Sequence, residues 1–183
     1  HSIRVNLRSE EPDAKKILDN SSESISKLIE YSKSQEIGIV VENHGGITGD
    51  ADWVVSLMEN INNRYVGTLP DFGSYNFCIK RGDLNLEDIE SDCENQYDKY
   101  IGVQKLLPYA KGVSAKSHEF KLNGEEKSTD YKKMMKIISK STYEGFITIE
   151  YEGAVMNMFG SKGNYLETHE GVEATRKLIS KYL

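Results

Sequence analysis

The stretch Ile39-Val40-Val41-Glu42-Asn43-His44-Gly45-Gly46 decides the fold. Three consecutive β-branched residues run without polar alternation into a carboxylate, and a two-glycine turn follows. A strand this uniformly apolar is covered on both faces, which is the situation of a parallel sheet packed by helices. Upstream, after a turn at Pro12, the residues Ile17, Leu18, Ile25, Leu28, Ile29 and Tyr31 recur at helical spacing through Ser34, and Gly38 separates that helix from the strand. Downstream, Trp53, Val54, Leu57, Met58 and Ile61 form one apolar stripe, predicting a helix from Asp50 or Ala51 to about Asn62. Strand and helix therefore alternate, the pattern of βα units around a parallel sheet.

Five such units are read along the chain. Their strands are expected at residues 3–7, 39–42, 66–69, 112–116 and 146–150. Further helices are expected at 97–109, from Thr129 or Asp130 through Tyr131, Met134, Met135, Ile137 and Ile138, and at 168–183. Between residues 73 and 98 the sequence turns polar and acidic, with Asp83, Glu87, Asp88, Glu90, Asp92 and Glu94; a long loop holding a short helix is expected there. A glycine-rich loop is expected at 153–163. Trp53 and the Met134-Met135 pair read as core, and Gly45-Gly46 lacks the G-x-G-x-x-G spacing of a dinucleotide-binding turn.

The balance of 23 basic against 29 acidic residues gives a net charge of −6, which argues against nucleic acid as a partner, since phosphate neutralisation needs an excess of clustered Lys and Arg. Mean hydropathy is −0.56 and no apolar run approaches the length of a membrane span. Cys78 and Cys93 stand without C-x-x-C spacing or histidine-rich company, so neither a zinc knuckle nor a disulfide framework is indicated.

Polar residues collect where the strands end. Glu42 closes one strand, Asp71 follows the next, Lys116 and His118 the fourth, and Glu150 and Glu152 the fifth. Period-two alternation puts Val40, Glu42 and His44 on one face, as it does Ser114, Lys116 and His118, and Thr148, Glu150 and Glu152. Carboxylates at the same level of neighbouring strands converge, and converging carboxylates repel unless they are protonated or neutralised. A divalent cation is the simplest neutraliser; an oxygen-rich set favours Mn²⁺ or Mg²⁺, with Zn²⁺ or Co²⁺ also admitted.

The segments Val41-Glu42-Asn43-His44-Gly45-Gly46, Leu69-Pro70-Asp71-Phe72-Gly73, Lys111-Gly112-Val113-Ser114-Ala115-Lys116-Ser117-His118 and Ile149-Glu150-Tyr151-Glu152-Gly153 resemble the xylose isomerase-like TIM-barrel superfamily. The branch most resembled is the sugar phosphate isomerases and epimerases, an AP endonuclease 2-type barrel. The resemblance implies a (β/α)8 fold in which the five strands are the fourth to eighth. It implies that Glu42, Asp71 and Glu150 bind the metal. Many members carry a histidine two residues before the lysine of the seventh strand, and Ser114 stands there; His118, on the same face, is the substitute, the alternative being a weakly held or absent metal. His44 either lines the pocket mouth or pins the glycine turn. Lys116 either binds an enolate or phosphate or pairs with Glu150 or Glu152. Arg4 and Asn6 share a face of the first strand, and Arg4 requires an anionic partner; with His44, Lys116 and Glu152 they form the expected substrate-binding set.

The reaction implied is isomerisation or epimerisation of a sugar or keto-sugar by metal-assisted proton transfer through an enediolate, with Glu42 and Glu150 as acid and base. An inosose-type dehydratase on the same site and a non-catalytic carbohydrate-binding barrel with a degenerate metal site are the alternatives. A phosphodiesterase is disfavoured, because only His1, His44, His118 and His169 occur. A complete barrel typically needs about 250 residues; the 183 present are therefore expected to be a single domain, the C-terminal part of a barrel, with three βα units upstream. Location is expected to be cytoplasmic, with the periplasm open.

Overall fold

The computed structural model describes residues 2–81, 93–158 and 160–183. Asp83, Glu87, Asp88, Glu90 and Asp92 of the acidic stretch lie outside the described residues. Strand β1 (Ser2–Val5) leads through helix α1 (Ala14–Ser34) to β2 (Gly38–Glu42), and α2 (Ala51–Ile61) leads to β3 (Val66–Leu69). These three strands are parallel, with Ile3 opposite Ile39 and Val41 opposite Thr68. Strands β4 (Cys78–Arg81) and β5 (Cys93–Gln96) then form an antiparallel hairpin. After α3 (Lys99–Leu106) come β6 (Val113–Ser117), α4 (Tyr131–Ser139), β7 (Ile147–Tyr151), the short α5 (Gly153–Met158) and α6 (Thr168–Tyr182).

Strands β6 and β7 are parallel, with Lys116 opposite Glu150. Parallel bridges at Thr68 with Ala110 and at Asp71 with Ser114 connect β3 to β6. The five parallel strands thus follow one another in the order β1, β2, β3, β6, β7. Helices α1, α2, α3, α4 and α6 pack each against the next along the outside. Side-chain alternation sorts the two faces: Ile39, Val41, Val113 and Ala115 belong to the core shared with Val54, Leu57, Val103, Leu106, Met134, Met135 and Leu178 on the helices. Each fully buried aliphatic or methionine side chain of this layer contributes about 1.5–3 kcal/mol. Trp53 and the Met134-Met135 pair are buried in it, as expected, with the indole N–H donating to the Ala14 carbonyl at 3.1 Å.

Local chemistry fixes the helix starts. Asp13, Asp50, Asp98 and Asp130 each stand at an N-cap and accept backbone N–H groups of the first turn, an arrangement worth about 1 kcal/mol apiece. The helix expected at 97–109 ends sooner, at Leu106, and continues as a 3₁₀ turn, Leu107–Tyr109, because Pro108 has no N–H for an α-helical bond. The first strand stops at Val5, so Asn6 lies beyond it and is exposed. Within 153–163, residues Gly153–Met158 form a helical turn and a half. No described helix is long and apolar enough to cross a membrane.

Two expectations for the 73–98 stretch are corrected. A 3₁₀ turn at Tyr75–Phe77 is followed by the β4–β5 hairpin. Cys78 and Cys93 are joined in a disulfide, with their Cα atoms 5.7 Å apart. Spacing alone carried no sign of it; in the hairpin the register shifts around Lys80, and both sulfurs lie beside the Lys80 carbonyl, at 3.2 and 3.7 Å.

Candidate metal centre

The inward-facing alternate residues of β2, β6 and β7 look away from the helix layer, and their polar members meet at the carboxyl ends. Glu42 is fully buried and receives a hydrogen bond from Arg4 Nη1 on β1 at 2.8 Å through its Oε2. Asp71, two residues past β3, is also fully buried; its Oδ1 accepts the Gly73 N–H at 2.7 Å. Asn43 fixes its backbone, donating from Nδ2 to the Asp71 carbonyl at 3.1 Å and accepting the Asp71 N–H through Oδ1 at 2.8 Å. On β7, Glu150 Oε2 accepts the Ser114 hydroxyl at 2.6 Å across the β6–β7 pair.

Lys116 stands among these acids with 4% of its side chain exposed. Its Nζ lies 3.1 Å from Glu150 Oε1, 3.1 Å from Glu152 Oε2 and 3.8 Å from Asp71 Oδ2. The pairing with Glu150 and Glu152 that the sequence left open is therefore present, and it is made inside the cluster. His118 lies outside the triad: its Nε2 is 3.5 Å from Glu152 Oε2, and its backbone N–H donates to Glu126. His44 is half-buried behind a turn whose glycines, Gly45 and Gly46, have φ of 72° and 60°, conformations that a side chain would strain.

One carboxylate oxygen from each of Glu42, Asp71 and Glu150 lies within 4.8 Å of the other two. These are three of the four expected ligands; the structure does not bring His118 to them. Glu42 Oε1 and Asp71 Oδ2 are buried with no hydrogen-bond partner. Buried carboxylate oxygens are ordinarily satisfied, so two orphans within this cluster fit a cation. The carboxylates of Glu42, Asp71, Glu150 and Glu152 outnumber the cations Arg4 and Lys116 that face them, an excess of negative charge that a cation relieves. An all-oxygen donor set belongs to hard cations.

Burial pushes the carboxyls of Glu42 and Asp71 up, against the opposing fields of Arg4 and Lys116 respectively, and Asp71 goes furthest. Burial acts the same way on Glu150, but the Ser114 hydroxyl and Lys116 outweigh it and hold its carboxyl below the ordinary range. The His118 side chain holds Glu152 down to about 2, helped by Lys116 and opposed by burial. Burial disfavours the Lys116 ammonium, yet Asp71, Glu152 and Glu150 together raise it above its usual value. His44 is pushed down by burial and then by Lys116 and Arg4, which favours its neutral imidazole.

Sequence reasoning missed the support for this cluster. Asn43 sits inside the opening motif, but only the fold shows that both ends of its amide are used. Ser114 is the orienter of Glu150. Glu126 and Lys99, both buried, secure the loop that carries His118: Glu126 accepts backbone N–H groups of His118, Ser128 and Thr129, and Lys99 Nζ donates to Ser74, Ser128 and Thr129. No local pattern marks either residue.

Parallel strands, a succession of outer helices and acids gathered at the carboxyl strand ends define an α/β barrel of the TIM type. The sequence matches the xylose isomerase-like TIM barrel over residues 4–179, and the chain belongs to that family. Among solved structures, the IolI protein with a bound zinc atom superposes at a TM-score of 0.66 and 11% identity, covering 100% of this chain and 64% of that one. An L-ribulose 3-epimerase gives 0.65 and 11%, covering 98% and 61%. A xylose isomerase-like TIM barrel protein from Mycobacterium smegmatis, in complex with magnesium, gives 0.53 and 14%, covering 97% and 62%. The chain thus spans about three-fifths of the length of these structures. No curated protein matches the sequence.

Proposed function

We propose that the chain carries the metal-binding and catalytic end of a sugar or keto-sugar isomerase or epimerase, its five βα units being the fourth to eighth of an eight-stranded barrel. The observation that carries this reading is the triad of buried Glu42 and Asp71 with partly exposed Glu150, carrying two orphan oxygens at the carboxyl strand ends. A divalent cation, Mn²⁺ or Mg²⁺ before Zn²⁺, would be held by those three residues and would supply Lewis acidity toward the substrate's carbonyl and hydroxyl oxygens. Glu42 and Glu150 take and return the proton on the carbon next to the carbonyl, passing through an enediolate. Arg4 fixes Glu42, and Ser114 fixes Glu150. Lys116 offers positive charge to the developing oxyanion, while His44 and the Glu152 carboxylate border the substrate.

A dehydratase is the second reading, favoured by the His118 and Glu152 pair beside Lys116, a further proton-carrying group able to assist departure of a hydroxyl as water. Incubation with a panel of keto-sugars in D₂O separates the two: an isomerase or epimerase gains deuterium at the α-carbon without mass loss, and a dehydratase product lacks one water. Glu150→Gln is expected to abolish the exchange. Exchange unchanged in that variant would refute the assignment, and absence of Mn²⁺ binding by the folded protein would favour a non-catalytic carbohydrate-binding barrel.

A further inference from the structure

The Lys116 ammonium and a divalent cation call on the same atoms. Asp71 Oδ2, one of the two orphan oxygens, lies 3.8 Å from Lys116 Nζ, and Glu150 Oε1 lies 3.1 Å from it. The side chain is almost wholly buried, so solvent screens little of the repulsion between the ammonium and an incoming ion. A third partner stands on the solvent side: Glu152 accepts a hydrogen bond from the same Nζ at 3.1 Å with 42% of its side chain exposed.

We infer that Lys116 is an internal competitor of the divalent cation, neutralising Asp71 and Glu150 when no ion does so and ceding them, toward Glu152, when one binds. The inference rests on the cation site proposed above. Lys116 then does two things in succession. It keeps an acid cluster of this density foldable without metal, and once displaced from Asp71 and Glu150 it presents its charge to a substrate oxyanion. Cation binding and anion binding are thereby coupled through one side chain. Sequence position gives Lys116 no such role; the three distances do.

Calorimetric titration of the purified protein with MnCl₂ tests this on the wild type, Lys116→Met and Lys116→Gln. Removing the competing charge is expected to tighten Mn²⁺ binding about tenfold or more, and saturating Mn²⁺ is expected to raise the melting temperature more in the variants than in the wild type. Circular dichroism in EDTA and in excess Mn²⁺ covers the case in which a variant does not fold unaided: folding restored by Mn²⁺ supports competition. Wild-type binding with equal or weaker binding by folded variants, or a variant that Mn²⁺ fails to fold, overturns the inference and leaves the cation site standing. No Mn²⁺ binding by any of the three overturns the cation site itself.

Discussion

Replacing Glu126 by alanine is expected to cost about 3 kcal/mol of folding stability, because a buried carboxylate that holds three backbone N–H groups is lost. The carboxylate is only 3% exposed. Its Oε1 accepts the His118 N–H at 3.2 Å, and its Oε2 accepts the Ser128 N–H at 2.7 Å and that of Thr129. Three such hydrogen bonds are worth about 1 kcal/mol each net. Lys99, whose charge favours the Glu126 carboxylate, is also buried, its Nζ donating to the Ser74 and Thr129 hydroxyls and the Ser128 carbonyl at 2.8–2.9 Å. Glu126→Gln preserves shape and one acceptor and is expected to cost about 1–2 kcal/mol, since its amide nitrogen cannot accept. Urea denaturation followed by circular dichroism at pH 7 gives both values, provided the m-values agree. A loss below about 1 kcal/mol for the alanine variant would refute the claim that this carboxylate carries the loop. The imidazole resonances of His118 should shift in the same variant, because the loop presents that ring to Glu152.

Asn43→Ala removes both side-chain bonds to the Asp71 backbone and should cost about 2–4 kcal/mol in the same denaturation assay, because the groups left behind are buried. Alkylation with mass readout should label Cys78 and Cys93 only after reduction, and Cys93→Ser should cost about 3 kcal/mol by loop-closure entropy for a 15-residue separation; labelling without reductant would show the thiols free. The carboxyl of Glu152, held at about 2 in the fold against 4.5 as its ordinary value, contributes stability that is full above pH 4.5 and lost as pH falls through about 2. Its partial exposure limits the effect to about 1 kcal/mol. Urea midpoints between pH 5 and 2 should fall more steeply in the wild type than in Glu152→Gln, and parallel profiles would count against the pairing.

The parts of the fold that were readable in the sequence are those where periodicity is enforced by burial. Ile39 and Val41 point into the helix layer, so their neighbours Val40 and Glu42 point the other way, and the convergence of Glu42, Asp71 and Glu150 follows from strands lying side by side. The helix beginning at Asp130 was readable because an N-cap aspartate has one local job. What was not readable depends on contacts between distant segments. The hairpin around Cys78 and Cys93 sits in polar sequence whose two sides need not alternate in burial. Lys99 and Glu126 look like ordinary surface charges until the loop from His118 to Thr129 closes over them. His118 shares a strand-face pattern with Lys116, yet it follows β6, where the backbone leaves the sheet and alternation ceases to aim side chains; it meets Glu152 and stays apart from the triad.

The Cys78–Cys93 bond gives the β3-to-α3 connection a property that loops of its length usually lack. It closes residues 78–93 into a covalent ring, and the structure anchors that ring from outside: the Asn76 carbonyl accepts the Gly45 N–H at 2.9 Å, and the Phe77 carbonyl accepts the Tyr97 N–H at 2.9 Å. Whatever sequence fills the ring, its two ends leave from the same place. The ring begins in β4, which packs on the turn Gly46–Gly49 that follows Glu42, so the disulfide closes the hairpin against that turn. A covalent bond far along the chain from Glu42 thus bears on the turn that directly follows it.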